Sequence, residues 1–284
     1  MIFRYTITQQ ETLKSFLQRH DFSKKTISAI KTNGALLVNQ RPVTVRYQLN
    51  LGDQLVVQLP LEIPSANLIP YLKPLDILFE DDYIIIVSKP NRQNCAPSRE
   101  HPHESLVEQV LGYLQHKGEH TNPHIVTRLD RNTTGIVLFA KYGYIHHLFS
   151  KTNMDKVYTC LAHGITEPSG VIEAPIARNE ASIIERQVSE NGKYAKTLYR
   201  TIKQKENVSC CEVQLCTGRT HQIRVHFQYI GHPLIGDTLY GGKHGKIEGQ
   251  CLHCSKLCFE HPVNKKMIHI EIDHKQLNQW YDLI

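Results

Sequence analysis

Asp130 stands between two cations, in the run Arg128-Leu-Asp130-Arg131-Asn-Thr-Thr-Gly135. Positive charge on both sides favours the charged form of a carboxylate, and a charged carboxylate serves as a nucleophile or as a base. The same pattern also serves a structural ion pair. The apolar strand Ile136 to Ala140 follows at once, so this carboxylate belongs to a turn that feeds the core. Tyr158, in Lys156-Val157-Tyr158, adds an aromatic face and a hydroxyl, or else a half-buried strand tyrosine. A second basic run lies downstream: Leu215-Cys-Thr-Gly-Arg219-Thr-His-Gln-Ile-Arg224-Val-His226.

The elements that must position these residues follow from composition and periodicity. The chain has 284 residues, 40% hydrophobic and 21% charged, the balance of an ordinary globular protein. Residues 1–60 hold eight Lys/Arg against three acids, most of the net charge of +6, and such a segment is an electrostatic footprint for phosphate. Within it, Leu13, Phe16 and Leu17 predict one helix. Ser23 caps a second helix carrying Ile27 and Ile30, which Gly34 ends. Strand-like pieces follow at Ala35–Val38 and Gln54–Leu59. Pro60, Pro64, Pro70 and Pro74 then mark a linker. Beyond it, short strands (Ile77–Phe79, Tyr83–Val87, Ile136–Ala140, Val157–Ala162, Glu212–Leu215, Ile268–Ile272) alternate with helical patterns such as Leu106–Leu114. The first ten residues lack the apolar core of a signal peptide, and the longest strongly apolar run, Tyr83–Val87, is too short to span a bilayer. A cytoplasmic protein with no membrane partner is the expectation, its eight scattered cysteines reduced.

Two resemblances sharpen this picture. Ser23-Lys24-Lys25, Gly34-Ala-Leu-Leu-Val-Asn39 and Leu51-Gly52-Asp53 resemble the alpha-L RNA-binding motif. That likeness implies an RNA grip by Ser23, Lys24, Lys25 and Lys31. The octapeptide around Asp130 and its strand resemble the signature of the RluA-type pseudouridine synthases, as do Lys-x-Tyr158, the Arg219 to Arg224 run, Gly231-His-Pro-Leu-Ile-Gly-Asp237, Tyr240-Gly241, and Leu252-His253 through Phe259-Glu-His261-Pro262. The likeness implies that Asp130 is the catalytic residue, that Tyr158 contacts the target base, and that Arg219 pairs with Asp130. Arg128 would fill the space left by a flipped nucleotide or hold its phosphate. Three positions depart from the pattern: Thr127 replaces a frequent histidine, Thr134 a serine, and Arg92 a glycine. Arg92 bears on how RNA enters.

The expected fold is therefore α+β. A small alpha-L RNA-binding domain (1–60) and a proline-rich linker (61–74) precede a pseudouridine synthase catalytic domain (75–284) on a mixed, mainly antiparallel β-sheet. The implied activity is isomerisation of specific uridines in structured RNA, with large-subunit ribosomal RNA ahead of transfer RNA and a monomer as the default. Breaking the N1–C1′ bond and rejoining uracil through C5 needs no redox step, metal or group donor. The chain also lacks a Gly-rich phosphate loop or nucleotide fingerprint, so no cofactor is expected. Cys251, His253, Cys254, Cys258 and His261 invite a zinc site. The resemblance makes this stretch extended, however, and odd separations then project to opposite faces, so no metal is expected. A non-catalytic RNA binder of the same fold would have a damaged Asp–Tyr–Arg set. A metal-dependent RNA-processing enzyme would need the Cys/His cluster.

Overall fold

The apolar positions of the N-terminal segment sort into one face per element. A computed structural model describes residues 1–182, 184–243, 245, 247–273 and 275–283. Strand β1 (Ile2–Thr6) leads to helix α1 (Leu13–Arg19), which buries Leu13, Phe16 and Leu17 as their spacing requires. Helix α2 (Lys24–Asn33) opens on Ser23, whose hydroxyl accepts the Thr26 N–H at 3.0 Å. Strands β2 (Ala35–Val38) and β3 (Gln54–Gln58) complete an antiparallel sheet in the order β1-β3-β2, with Arg41–Pro42 on its far edge. Gly34 ends α2 without left-handed geometry (φ −113°). It is needed because a Cβ there would meet the Gln58 carbonyl at 2.4 Å.

The proline-rich stretch carries no helix or strand, yet it is pinned. The buried Glu108 carboxylate accepts the Ile69 N–H, and the Glu108 carbonyl accepts that of Tyr71. Gln109 donates to the Pro74 carbonyl at 2.6 Å.

From Ile77 the chain builds a ten-stranded sheet. Its elements are β4 (Ile77–Glu80), β5 (Ile84–Lys89), α3 (Leu106–His116), β6 (Thr134–Ala140), α4 (Gly143–Phe149), β7 (Met154–His163) and β8 (Ser169–Glu173). They continue with β9 (Lys196–Lys205), β10 (Val208–Leu215), α5 (Gln222–Tyr229), β11 (Leu252–Glu260), β12 (Met267–Glu271) and α6 (Lys275–Leu283). Strand order is β8-β9-β10-β7-β11-β6-β5-β4, with β12 also pairing β11 and His124–Ile125 pairing β6. All these pairs are antiparallel except β6 with β11. The fold is thus α+β with a mixed, mainly antiparallel sheet. Strand β6 is buried along its whole length, which explains its unbroken apolar run.

The N-terminal module shares a hydrophobic cluster with this sheet. Phe22 stacks on Tyr144 of α4 at 4.3 Å between centroids, the Tyr144 hydroxyl donates to the His20 carbonyl, and Lys151 pairs with Asp21. Among the described residues no helix is long and apolar enough to cross a membrane.

The parallel pair β6–β11 places the turn after Asp130 against β11. Gly135 makes it possible: its φ is +109°, and a Cβ would lie 2.2 Å from the Cys254 carbonyl oxygen. A Gly135→Ala chain must shift backbone at this crossing, and we expect a loss of about 3 kcal/mol or more in urea unfolding. A loss under about 1 kcal/mol would show that the crossing is slack.

Candidate active site

Four segments converge on Asp130. Its own loop is held from several directions. The Thr133 N–H donates to the Asp130 carbonyl at 3.0 Å. Gln250 donates to the Thr133 hydroxyl at 2.9 Å, and Thr134 Oγ1 lies 2.7 Å from His253 Nδ1. Beneath the loop, the buried Lys89 ammonium donates to the carbonyls of Pro90, Gln93 and Arg131 at 2.8–2.9 Å. Burial draws the Lys89 pKa down to about 8. So many restraints fix the backbone on either side of one carboxylate.

Helix α5 supplies the cation. Arg224 Nη1 donates to Asp130 Oδ2 at 3.0 Å, while Nε and Nη2 form a fork on the two oxygens of Asp237 at 2.7 and 2.9 Å. Burial opposes the charge on Arg224, but Asp237 and then Asp130 outweigh it, so the guanidinium pKa is raised. The Arg224 guanidinium also lies over the Tyr240 ring, 4.9 Å from its centroid. His221 brings Nε2 to 3.7 Å from Asp130 Oδ2, and its Nδ1 is 2.8 Å from the Tyr240 hydroxyl. Burial lowers the His221 pKa, which favours the neutral ring.

Strand β7 supplies the aromatic wall. Tyr158 is buried where β7 slips register against β11, between Val157 and Tyr158, opposite Cys254. Burial, then Cys254, then the Asp130 charge push the Tyr158 pKa well up. The phenol is protonated in the free protein. A cleft of about 80 Å³ joins Arg128, Asp130, Tyr158, Arg219, His221 and Arg224. A larger cavity, about 1050 Å³, lies between the N-terminal module and the sheet, lined by Arg4, Tyr5, His20, Tyr83 and Lys151 among others.

The family model for RNA pseudouridylate synthase matches residues 83–229, from β5 through α5. The chain belongs to the RNA pseudouridine synthase family. A Bacillus subtilis (strain 168) relative, the uncharacterized RNA pseudouridine synthase YjbO, is 40% identical over 90% of this chain and 92% of its own. The Haemophilus ducreyi ribosomal large subunit pseudouridine synthase D is 33% identical over 84% of this chain and 77% of its own. The fold is also that of human RNA pseudouridylate synthase domain containing 1, with a TM-score of 0.60 and 22% identity over 72% of this chain and 84% of that one. This chain is accordingly an RNA pseudouridine synthase, an isomerase that modifies RNA.

Set against the expected site of this synthase, Asp130, Tyr158 and Arg128 line one cleft, with Arg128 exposed at its mouth. Arg219 lines it too, but the expected pairing with Asp130 is wrong. Arg219 is exposed and donates through Nε to the Tyr194 carbonyl at 2.9 Å, and the partner of Asp130 is Arg224. The physical cause is His221. Its left-handed backbone (φ 57°) opens α5 at Gln222, which leaves Arg219 in the exposed loop before the helix and puts Arg224 on the buried face of the helix.

Arg224, Asp237, His221 and Tyr240 lie in the 215–226 and 231–241 runs, but residue type alone gives them no role. The available signal was a second arginine five residues beyond the first, with an acid thirteen residues further on. Ser23 occupies its hydroxyl in capping α2, while Lys24, Lys25 and Lys31 stand exposed on that helix. Arg92 has φ 61°, which accounts for the glycine usual there, and its side chain pairs with Glu248. Of the cysteines considered for zinc, Cys251 packs with Leu161 and Ile235, whereas Cys254 packs with Tyr158 in a different cluster.

Proposed function

We propose that this synthase isomerises uridines of large-subunit ribosomal RNA, with Asp130 as its catalytic carboxylate. The observation that carries the assignment is Asp130 Oδ2 held by a buried arginine at the mouth of a cleft walled by Tyr158. Among the described residues the contacts of the Asp130 carboxylate, from Arg224 and His221, fall on Oδ2, which leaves Oδ1 for the sugar. At the sugar–base junction Asp130 attacks C1′, or acts as the base that assists loss of uracil. Tyr158 stacks on the freed ring while it turns. With the N1–C1′ bond broken, C5 bonds to C1′, displacing Asp130 where it had attached, the C5 proton is lost, and N1 gains one, so the product is an isomer. Arg128, at the mouth, occupies the place of the extruded nucleotide or holds its phosphate.

Support for a ribosomal target comes from relatives named ribosomal large subunit pseudouridine synthase D in two organisms. It comes also from the basic first sixty residues, which we propose act as an RNA-binding module joined through residues 61–74 to the catalytic domain. Carbodiimide labelling with primer extension, on RNA from cells with and without this gene, tests the target. Loss of stops in large-subunit ribosomal RNA is expected, and loss confined to transfer RNA would overturn it.

Lys24, Lys25 and Lys31 project from one helix, with Ser23 fixing its start. Replacing all three by glutamine should flatten the dependence of log affinity on log salt by about 2, since each phosphate contact contributes roughly 0.7–0.9. Filter binding across a salt series measures it. An unchanged slope would place the RNA elsewhere.

A further inference from the structure

His221 holds a backbone conformation that costs a non-glycine residue free energy, and it does so between Asp130 and Tyr240. The hydrogen bonds around Tyr240 assign the imidazole proton. The Arg186 N–H donates to the Tyr240 hydroxyl oxygen at 2.9 Å, and that N–H can only be a donor. The hydroxyl proton is then directed at its other neighbour, His221 Nδ1, at 2.8 Å. Nδ1 accepts, so a neutral ring carries its proton on Nε2, the atom that faces Asp130 Oδ2 at 3.7 Å.

We infer that His221 is a positioning residue for the Asp130 carboxylate, its tautomer set by Tyr240, and that it presents a neutral N–H donor to the oxygen that Arg224 also holds. This rests on Asp130 being the catalytic carboxylate. Arg224 on α5 and His221 at the N-cap of the same helix both face Oδ2, and closing the second contact fixes the carboxylate plane, so that Oδ1 meets C1′ in one orientation. At 3.7 Å the His221 contact is beyond a full hydrogen bond and closes only on a small movement of either group. The same tyrosine oxygen anchors the hairpin strand Arg186–Val188 through the Arg186 N–H, so that strand and the carboxylate share one network.

The discriminating pair is His221→Asn and His221→Gln. Asparagine accepts left-handed backbone best of all non-glycine residues, but its amide reaches only the Nδ1 position. Glutamine fits the backbone less well but carries its amide N–H to the Nε2 position. A role in backbone geometry therefore favours Asn, and a role in orienting Asp130 favours Gln. With tritium release from RNA labelled at uracil C5, His221→Asn should lower kcat about 10–100-fold while KM stays within about threefold. His221→Gln should recover at least about tenfold of that loss. Tyr240→Phe, which removes the hydroxyl that sets the tautomer, should lower kcat in the same sense and decides the matter if either His221 variant fails to fold.

Full kcat in His221→Asn, or in Tyr240→Phe, would overturn the inference, as would equal losses in Asn and Gln. Asp130→Asn assayed alongside separates the two levels. Its inactivity with a fully active His221→Asn sinks only the positioning role, whereas its activity sinks the assignment of Asp130 itself.

Discussion

An Asp130→Asn enzyme should fold like the parent and lose about 10⁴-fold or more of its tritium release from RNA carrying uridine labelled at C5. Asparagine keeps the shape of the side chain and one acceptor oxygen for Arg224, but an amide is neither a nucleophile at C1′ nor a base there. The fold is spared because Arg224 retains both oxygens of Asp237 through Nε and Nη2, so the buried guanidinium is never left without a counter-charge. The Asp130 loop is held mainly by its backbone and by Lys89, Thr133 and Thr134, none of which involves the Asp130 carboxylate. Circular dichroism melts within a few degrees of the parent, together with absent tritium release, are the expected pair of results. Release at the parental rate from a folded variant would remove Asp130 from the mechanism.

Much of this architecture was readable from the residues. Leu13, Phe16 and Leu17, the Ser23 cap, the unbroken apolar run of β6 and the four prolines each impose local structure through short-range chemistry, and each appears where expected. Strand β9 was not legible. Lys196–Lys205 has mostly exposed or half-buried polar side chains, so no apolar alternation announces a strand that the sheet pairs on both sides. Helix α5 was hidden for a different reason. It is short, it starts at a left-handed histidine rather than at a capping Ser, Thr, Asp or Asn, and it buries Arg224 and His226 alongside Val225 and Phe227. Without that helix, the two arginines of one motif could not be told apart. Which of them reaches Asp130 depends on where α5 begins, at the left-handed His221, and side-chain type carries no signal for that. The four contacts of Arg224, Asp237, His221 and Tyr240 are long-range in the same sense, because they depend on where a helix and a loop meet after folding.

The second large effect belongs to Arg224, and it differs in kind from the first. Arg224→Met should abolish activity and also destabilise the protein by about 3–5 kcal/mol, because it leaves the Asp237 carboxylate buried without its partner. Arg224→Lys keeps the charge but not the fork. One ammonium on a flexible stem cannot hold both oxygens of Asp237 and Oδ2 of Asp130 together, so kcat should still fall about 100-fold or more. The double variant Arg224→Met/Asp237→Asn separates the two roles. With the buried charge removed, the cost falls to that of an unpaired polar group, about 1–3 kcal/mol, and unfolding should recover part of the way to the parent. Activity should not recover, since nothing then holds Asp130 Oδ2 from that side. If instead the double variant regains both stability and turnover, the arginine is structural support alone, and the orientation of Asp130 rests on His221 and the backbone of its own loop.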